Sequence, residues 1–559
     1  MRLRPALTVV AVLALGFSVG ACTSLPTSGD PHAFAFETSP REPISQFGSG
    51  PREDSDPDGL IEDFLRACAA GVYDDFATAR LYLTPEASLK WSPGDQVIIF
   101  PTEVSPRVQV VEGGDTGSVT VTAQTMGTLE AKRTLVESPK TGVASLNFEL
   151  EKNEDGQWRI VGLDNGVLLS QSAFDTAFQP VDLYFPSQDG VALVADPRWY
   201  PRTPKQATLL VEGLVSGPSP AIAPAVSANF TEGWSIPLRG VEVNDGSAVV
   251  DLSGSPELQS SEKRSLTWAV TQTVRQATSV SLVDVEINSV RQNGTLPEGP
   301  DYVPDQLVGV EDGQIVSGSA SDWRVLAGKV VAGEDPSDPA ASPVWEGPTA
   351  WIQDDESLAI LRSGGPVVVE EVSNPSKPSI DRRGNVWVAV DGKAGRELEV
   401  FTPDSESHTV TLPREVAGDV LAVEVAPDAA RVALLVGTTK GTTLWLGTIS
   451  QTNGEGVPQI FELRQEERAH ASTIGVTWHG PTTLETLVSH EDGMEMTVET
   501  LPIGGWKEVV SSPADAVRIT AGRAGGPVYV QSQDGTIYQR SGASWFEVDS
   551  GPADVSFPG

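Results

Sequence analysis

Two cysteines, five histidines and a large stock of carboxylates are the side chains through which this chain could do chemistry. The serine-nucleophile pattern G-x-S-x-G occurs once, as Gly16-Phe17-Ser18-Val19-Gly20. It works only on a strand–turn–helix elbow, and here it lies inside an apolar N-terminal run without that context. No phosphate loop, dinucleotide fingerprint or H-E-x-x-H pair is found. The histidines are His32, His408, His470, His479 and His490. The last three lie close together, but not at a metal-ligand spacing, so no metal ligand is assigned. Asp54-Ser55-Asp56-Pro57-Asp58-Gly59 imitates the start of an EF-hand loop. Its twelfth position is Leu65, where a bidentate Glu is required, and Pro57 interrupts it. The stretch reads as a turn in which Asp58 caps a helix. With 76 Asp+Glu in the chain, carboxylate pairs do not single out a glycosidase, and no catalytic or cofactor-binding residue is assigned.

Cys22 is different. Arg2 and Arg4 give a positive n-region, Ala6–Phe17 an apolar h-region, and Val19-Gly20-Ala21 small residues before the cysteine. This resembles a bacterial lipobox, in which the thiol is acylated and the chain is cut before it. Residues 1–21 would then be a lipoprotein signal peptide and Cys22 the lipidation site. A plain secretory signal cut near Ala21 and a retained membrane anchor are the alternatives. Losing Arg2 and Arg4 takes the net charge from −38 to −40. Such a body is repelled by anionic headgroups and by nucleic acid, so attachment falls to the lipid. One acyl chain holds marginally and two hold stably, at ~0.8 kcal/mol per buried CH₂.

These side chains need elements to position them. The chain has 559 residues, enough for several domains. Residues 22–57, rich in Pro, Gly and Ser, read as a flexible tether. In residues 58–176 a helix is expected over Gly59–Ala70, with Ile61, Phe64, Leu65 and Cys68 on one stripe. That places Cys68 in a core as a structural thiol. A second helix, Asp75–Tyr82, is expected to close at Thr84-Pro85. Strands follow at Asp95–Phe100, Arg107–Val111, Ser118–Met126, Ser145–Lys152 and Gln157–Gly162. Helices before a curved antiparallel meander suggest an NTF2-like α+β fold. Residues 178–297 read as a second α+β domain. Its strands are Val181–Phe185, Val191–Ala195 and Val280–Ile287, and its hairpin turns at Asn244-Asp245-Gly246. Its helices are Ala207–Val215 and Glu262–Ala277, the second with Leu266, Ala269, Val270, Val274 and Ala277 on one face.

Residues 305–559 change character: strand–turn–strand units recur at a spacing of ~40 residues, the period of propeller blades. Five or six blades fit, with Leu307–Val316 closing the ring against the C-terminal strand; a pair of β-sandwiches is the runner-up. Asp381–Trp387 and Ala426–Ala433 look like blade-start turns. Trp323, Trp345, Trp351, Trp387, Trp445, Trp478 and Trp545 are read mostly as blade core.

The second domain, with Leu183-Tyr184-Phe185 and the Thr267–Ala277 helix, resembles a GerMN domain. Leu210–Val226 (LVEGLVSGPSPAIAPAV), preceded by Asp196-Pro197-Arg198-Trp199, is similar to the LpqB family of actinobacterial lipoproteins. So are Ile61–Ala67 (IEDFLRA) and Ala79–Ala87 (ARLYLTPEA), with Trp91 behind them. The family offers no catalytic residues to carry over, and its strings look architectural, with Gly217 and Pro218 stopping a helix and Pro224 starting the next segment. The resemblance implies a palmitate-type lipid anchor on Cys22 and a place on the extracytoplasmic face of the cell membrane. It implies a non-enzymatic accessory of the MtrA–MtrB two-component system that binds the sensor histidine kinase MtrB and affects envelope homeostasis. A propeller that binds or acts on cell-wall glycan is the alternative. No cofactor is implied, and the oligomeric state is left open.

Overall fold

The computed structural model describes residues 48–559, apart from 140, 228–232, 255–257, 320–321, 354–356, 393–394, 405, 452–456, 491–494 and 524. Cys22, His32 and the signal-peptide pattern lie outside the described residues. Among the described residues, no helix is long and apolar enough to cross a membrane.

The first helix runs Pro57–Asp74. Its N-cap is Asp56, whose carboxylate accepts from the Gly59 amide at 2.9 Å, and Pro57 occupies the first turn. The expected cap, Asp58, sits inside that turn instead, where its charge favours the helix dipole. Phe64 inserts between Tyr82, Trp91 and Phe148, with ring centroids 6.1, 5.5 and 5.8 Å away. Ile61 and Cys68 are buried with it, and Leu65 is only partly covered. The second expected helix shrinks to Ala77–Arg80, because Asp75 and Phe76 take left-handed φ values of 58° and 60°. Thr84-Pro85 opens a further helix, Pro85–Lys90, rather than closing one: the Thr84 hydroxyl accepts from the Ala87 amide.

The expected single meander is two four-stranded sheets. One holds Arg107–Gly113, Thr116–Gln124, Val143–Lys152 and Trp158–Leu163, all antiparallel. The other, in the order Leu135–Glu137, Gly127–Glu130, Gln96–Phe100, Val167–Ser170, ends in a parallel pair. Three of those strands were not expected.

In the second domain Phe178–Pro186 and Leu193–Pro201 form a long antiparallel ribbon. Ser247–Gly254 and Leu282–Ile287 pair in parallel, with Glu242–Asn244 folded back across Asp245-Gly246. Both turn residues have positive φ, 50° and 78°, as a two-residue hairpin turn requires. The helices Gln206–Val215 and Ser260–Val274 pack against these strands, with the expected stripe from Leu266 to Ala277 buried throughout.

From Leu307 onward the described residues form six four-stranded sheets. We number these blades one to six. The innermost strands of blades two to six are Ser337–Ala341, Ser379–Ile380, Asp419–Val425, Thr473–Trp478 and Ala516–Ala521. Blade one is built from both ends of the region: Leu307–Glu311, Gln314–Ser319 and Asp322–Ala327 are joined by Ala553–Ser556 as the innermost strand. Successive innermost strands contact one another around a closed ring. Each blade packs alternate apolar residues against its neighbour, and Trp351, Trp387 and Trp478 are buried in these layers. Trp323, Trp445 and Trp545 are half-buried, and Trp345 is exposed.

Candidate functional site: the propeller channel and the domain junction

All innermost strands run the same way through the ring, so the channel has two distinct ends. At the end where these strands finish, their turns meet the two preceding domains. Asp189, from the turn inside the Phe178–Pro201 ribbon, accepts from Arg382 at 3.0 and 2.8 Å and from Arg383 at 3.2 Å. Burial raises the Asp189 carboxyl, but Arg382, the Ser187 hydroxyl, Arg383 and the Val191 amide outweigh it and hold it well below the usual carboxylate range. Arg431 pairs with Asp428 at 3.1 Å and donates to the Ala195 carbonyl. Gln188 meets Ser450 at 2.9 Å and accepts from the Gln451 amide, and Thr448 donates to Ala221 O. Blade five reaches further: Gly504 O accepts from Trp199, Trp506 packs on the first-domain core, and the Lys507 amide donates to Glu137. The expected blade-start turns are therefore also the propeller's grip on its neighbours.

The string around Asp196 has an architectural reason. Arg198 and Asp196 form a buried pair at 2.7 Å. Arg198 also donates to Gly217 O and Asp196 accepts from the Ser219 amide, so the pair fastens the loop after the Gln206–Val215 helix. Gly217, at φ 83°, supplies the left-handed residue that ends that helix.

Inside the channel the charges face one another. Lys377 pairs with Glu424 at 3.0 Å, and Trp478 donates to Glu424 O. Burial pushes the Glu424 carboxyl up, against the pull of Lys377. Arg518 bridges Asp338 and Asp554, each at 2.7 Å. Arg523 pairs with Asp305 at 3.0 Å and lies over the Tyr302 ring. The cavity bounded by Lys377, Glu424, Trp478, Arg523 and Phe557 measures ≈ 20 Å³. That is room for about one water.

The histidines scatter. His479 lies between Glu485, 3.2 Å away, and Gly526 O, 3.1 Å away. Glu485 is fully buried and is also clasped by Arg540 at 2.7 and 2.9 Å. His470 and His490 have ring centroids 5.3 Å apart, but His470 Nδ1 accepts from the Ser472 amide. That bond occupies the Nδ1 lone pair, which is therefore not free for a metal ion. His408 lies beside Glu406. Among the described residues no three His, Cys, Asp or Glu side chains gather as for a metal ion. Cys68 is free and buried, and burial, then Asp74, pushes its thiol well above the usual range.

Fold and junction together define a multidomain propeller protein in which two α+β domains are fastened to one end of a six-bladed ring. Residues 50–175 match the family model "Lipoprotein LpqB, N-terminal domain" and residues 313–558 match "Lipoprotein LpqB beta-propeller domain". Lipoprotein LpqB of Streptomyces coelicolor is 26% identical over 100% of this chain and 98% of its own length. That of Rhodococcus opacus is 30% identical over 47% of this chain and 44% of its own. The chain belongs to the LpqB lipoprotein family. It is also similar to the first GerMN domain of the sporulation protein GerM from Bacillus subtilis, at 22% identity over 22% of this chain and 90% of that one, with a TM-score of 0.17.

Proposed function

We propose that the protein is a non-enzymatic, lipid-anchored accessory of the MtrA–MtrB two-component system. It acts on the extracytoplasmic face of the membrane by binding the sensor kinase MtrB. The observation that supports a binding role is the channel: its acids and bases are spent on one another, in Lys377–Glu424 and Asp338–Arg518–Asp554, around a cavity of ≈ 20 Å³. The family name supports the anchor, which the sequence puts on Cys22. Its role is to hold the folded body where the kinase's sensor domain sits. A flexible linker can keep a tethered partner at ~mM local concentration, enough to make a weak contact effective. A Cys22→Ala protein exported on a plain secretory signal tests this. It should fold and be released, and kinase output should shift toward that of cells lacking the protein. Normal output from the released form, at ordinary expression, would contradict the tethering. Hydrolysis of a wall polymer by the purified protein would put the glycan-acting reading in its place.

A further inference from the structure

At the other end of the channel, where the innermost strands begin, the described residues show no hydrogen bond from the two N-terminal domains to the strand starts at Asp419, Thr473 and Ala516; the nearest link is Arg468, in the turn before Thr473, 3.8 Å from Glu137. Five of the six innermost-strand pairings carry a register shift near this end. In blade four, Val420 pairs with Val436 and Ala422 with Leu435, so Leu421 is an extra residue without a partner. Blade five repeats this at Ile474, between Thr473 and Gly475, and blade six at Val517, between Ala516 and Arg518. A β-bulge of this kind re-aims one side chain out of the ladder. Here it delivers an apolar one to solvent three times running: Leu421 is 48% exposed, Ile474 47% and Val517 52%. Single exposed apolar residues are ordinary on any protein. Here the same position recurs on three consecutive innermost strands that contact one another around one channel mouth. On blades two and one the shifts fall at Asp338 and Asp554 instead, and Arg518 clasps both. The mouth thus has an apolar arc and a salt-bridged arc.

The turns beside the apolar arc are acidic. Glu415, Asp419, Glu467, Asp515 and Asp534 are exposed there, against Arg414, Lys440 and His470, on a chain of net charge −38. An anionic lipid surface would be repelled by this rim, and a second copy would set two such rims against each other. A cationic segment is drawn to it.

We propose that this mouth is a docking surface for a protein segment carrying apolar side chains flanked by lysine or arginine. The apolar arc receives the anchor and the acidic rim selects the flanks. The surface rests on the binding-protein reading above only for the identity of the natural partner.

Two labelled peptides test it by fluorescence anisotropy against the solubilised full chain. Both have a Leu-Phe-Leu core, one with two lysines on each side and the other with two glutamates. The lysine peptide should bind saturably, and at least about tenfold more tightly than the glutamate peptide. Leu421→Ser/Ile474→Ser/Val517→Ser should weaken it by at least about tenfold. Asp419→Lys should erase most of the preference for lysine flanks. Leu421→Lys, at a side chain already half in solvent, reads the same site should the triple variant fold poorly. Unchanged binding by these variants, or no binding of the lysine peptide at millimolar concentration, overturns the proposal. The purified sensor domain of the kinase separates the two readings. If the peptide binds the wild type and that domain does not, the kinase reading fails and the surface stands.

Discussion

Replacing Asp189 with Asn removes a carboxylate that joins the second domain to two propeller arginines. Arg382 is the residue most affected: its side chain is 4% exposed, and it donates twice to Asp189 and once to Asp428 O. The substitution leaves that guanidinium without its hydrogen-bonded carboxylate, and the remaining acid beside it, Asp428, is already paired with Arg431. For a fully buried pair that costs about 3–5 kcal/mol. A third of the Asp189 side chain faces solvent, which lowers the expected cost to about 2–3 kcal/mol. The loss falls on docking rather than on either core, because Asp189 lies in a turn. In urea the wild type should show the second domain and the propeller unfolding together, and Asp189→Asn should separate them. A double-mutant cycle with Arg382→Met should return a coupling of about 1.5–3 kcal/mol. Acid has the matching sign. The folded Asp189 value is depressed, so its contribution is in place above the ordinary value of 3.8 and is lost only as pH falls through the lower folded value. Docking should therefore survive mild acid. A coupling below about 0.5 kcal/mol, or an unchanged single transition in Asp189→Asn, would show that this pair does not hold the two domains together.

Cys68 should be inert to a thiol reagent in the native protein and react only on unfolding, since burial both hides the sulfur and disfavours its thiolate; labelling followed by mass spectrometry checks this. Removing residues 552–559 takes away blade one's innermost strand, with its bond from Ser556 Oγ to Pro339 O and from the Phe557 amide to Thr520. The ring should open, and limited proteolysis should cut within the propeller under conditions that leave the full chain whole. Cys22→Ser should leave the precursor uncleaved and unacylated, and mass spectrometry of the mature N-terminus of the wild type should find the lipid on Cys22.

Much of this architecture was legible because its signals are local. The stripe at Ile61, Phe64 and Cys68, the Asp245-Gly246 hairpin and the closure of Leu307–Glu311 on the C-terminal strand follow from periodicity, turn chemistry and blade spacing. The misreadings are equally physical. Asp56 and Asp58 are both good caps, and the choice fell to the one directly before Pro57. Thr84-Pro85 can end a helix or begin one, and the left-handed Asp75 and Phe76 had already ended the first. Val167–Ser170 is buried on both faces, so it shows no alternation to find. The junction was out of reach: Asp189 and Arg382 are 193 positions apart, and nothing near either one announces the other. Asp381–Trp387 and Ala426–Ala433 stood out as turns, but their arginines gain a second role only once the domains are docked.

Membrane-anchored binding to MtrB is the role proposed for the protein. The most direct measurement is MtrB phosphorylation in proteoliposomes carrying the kinase alone, with the lipidated protein, or with an equal amount of the Cys22→Ala form. The lipidated protein should change the phosphorylation level, and the soluble form should change it much less. Identical levels with and without the lipidated protein would contradict that role.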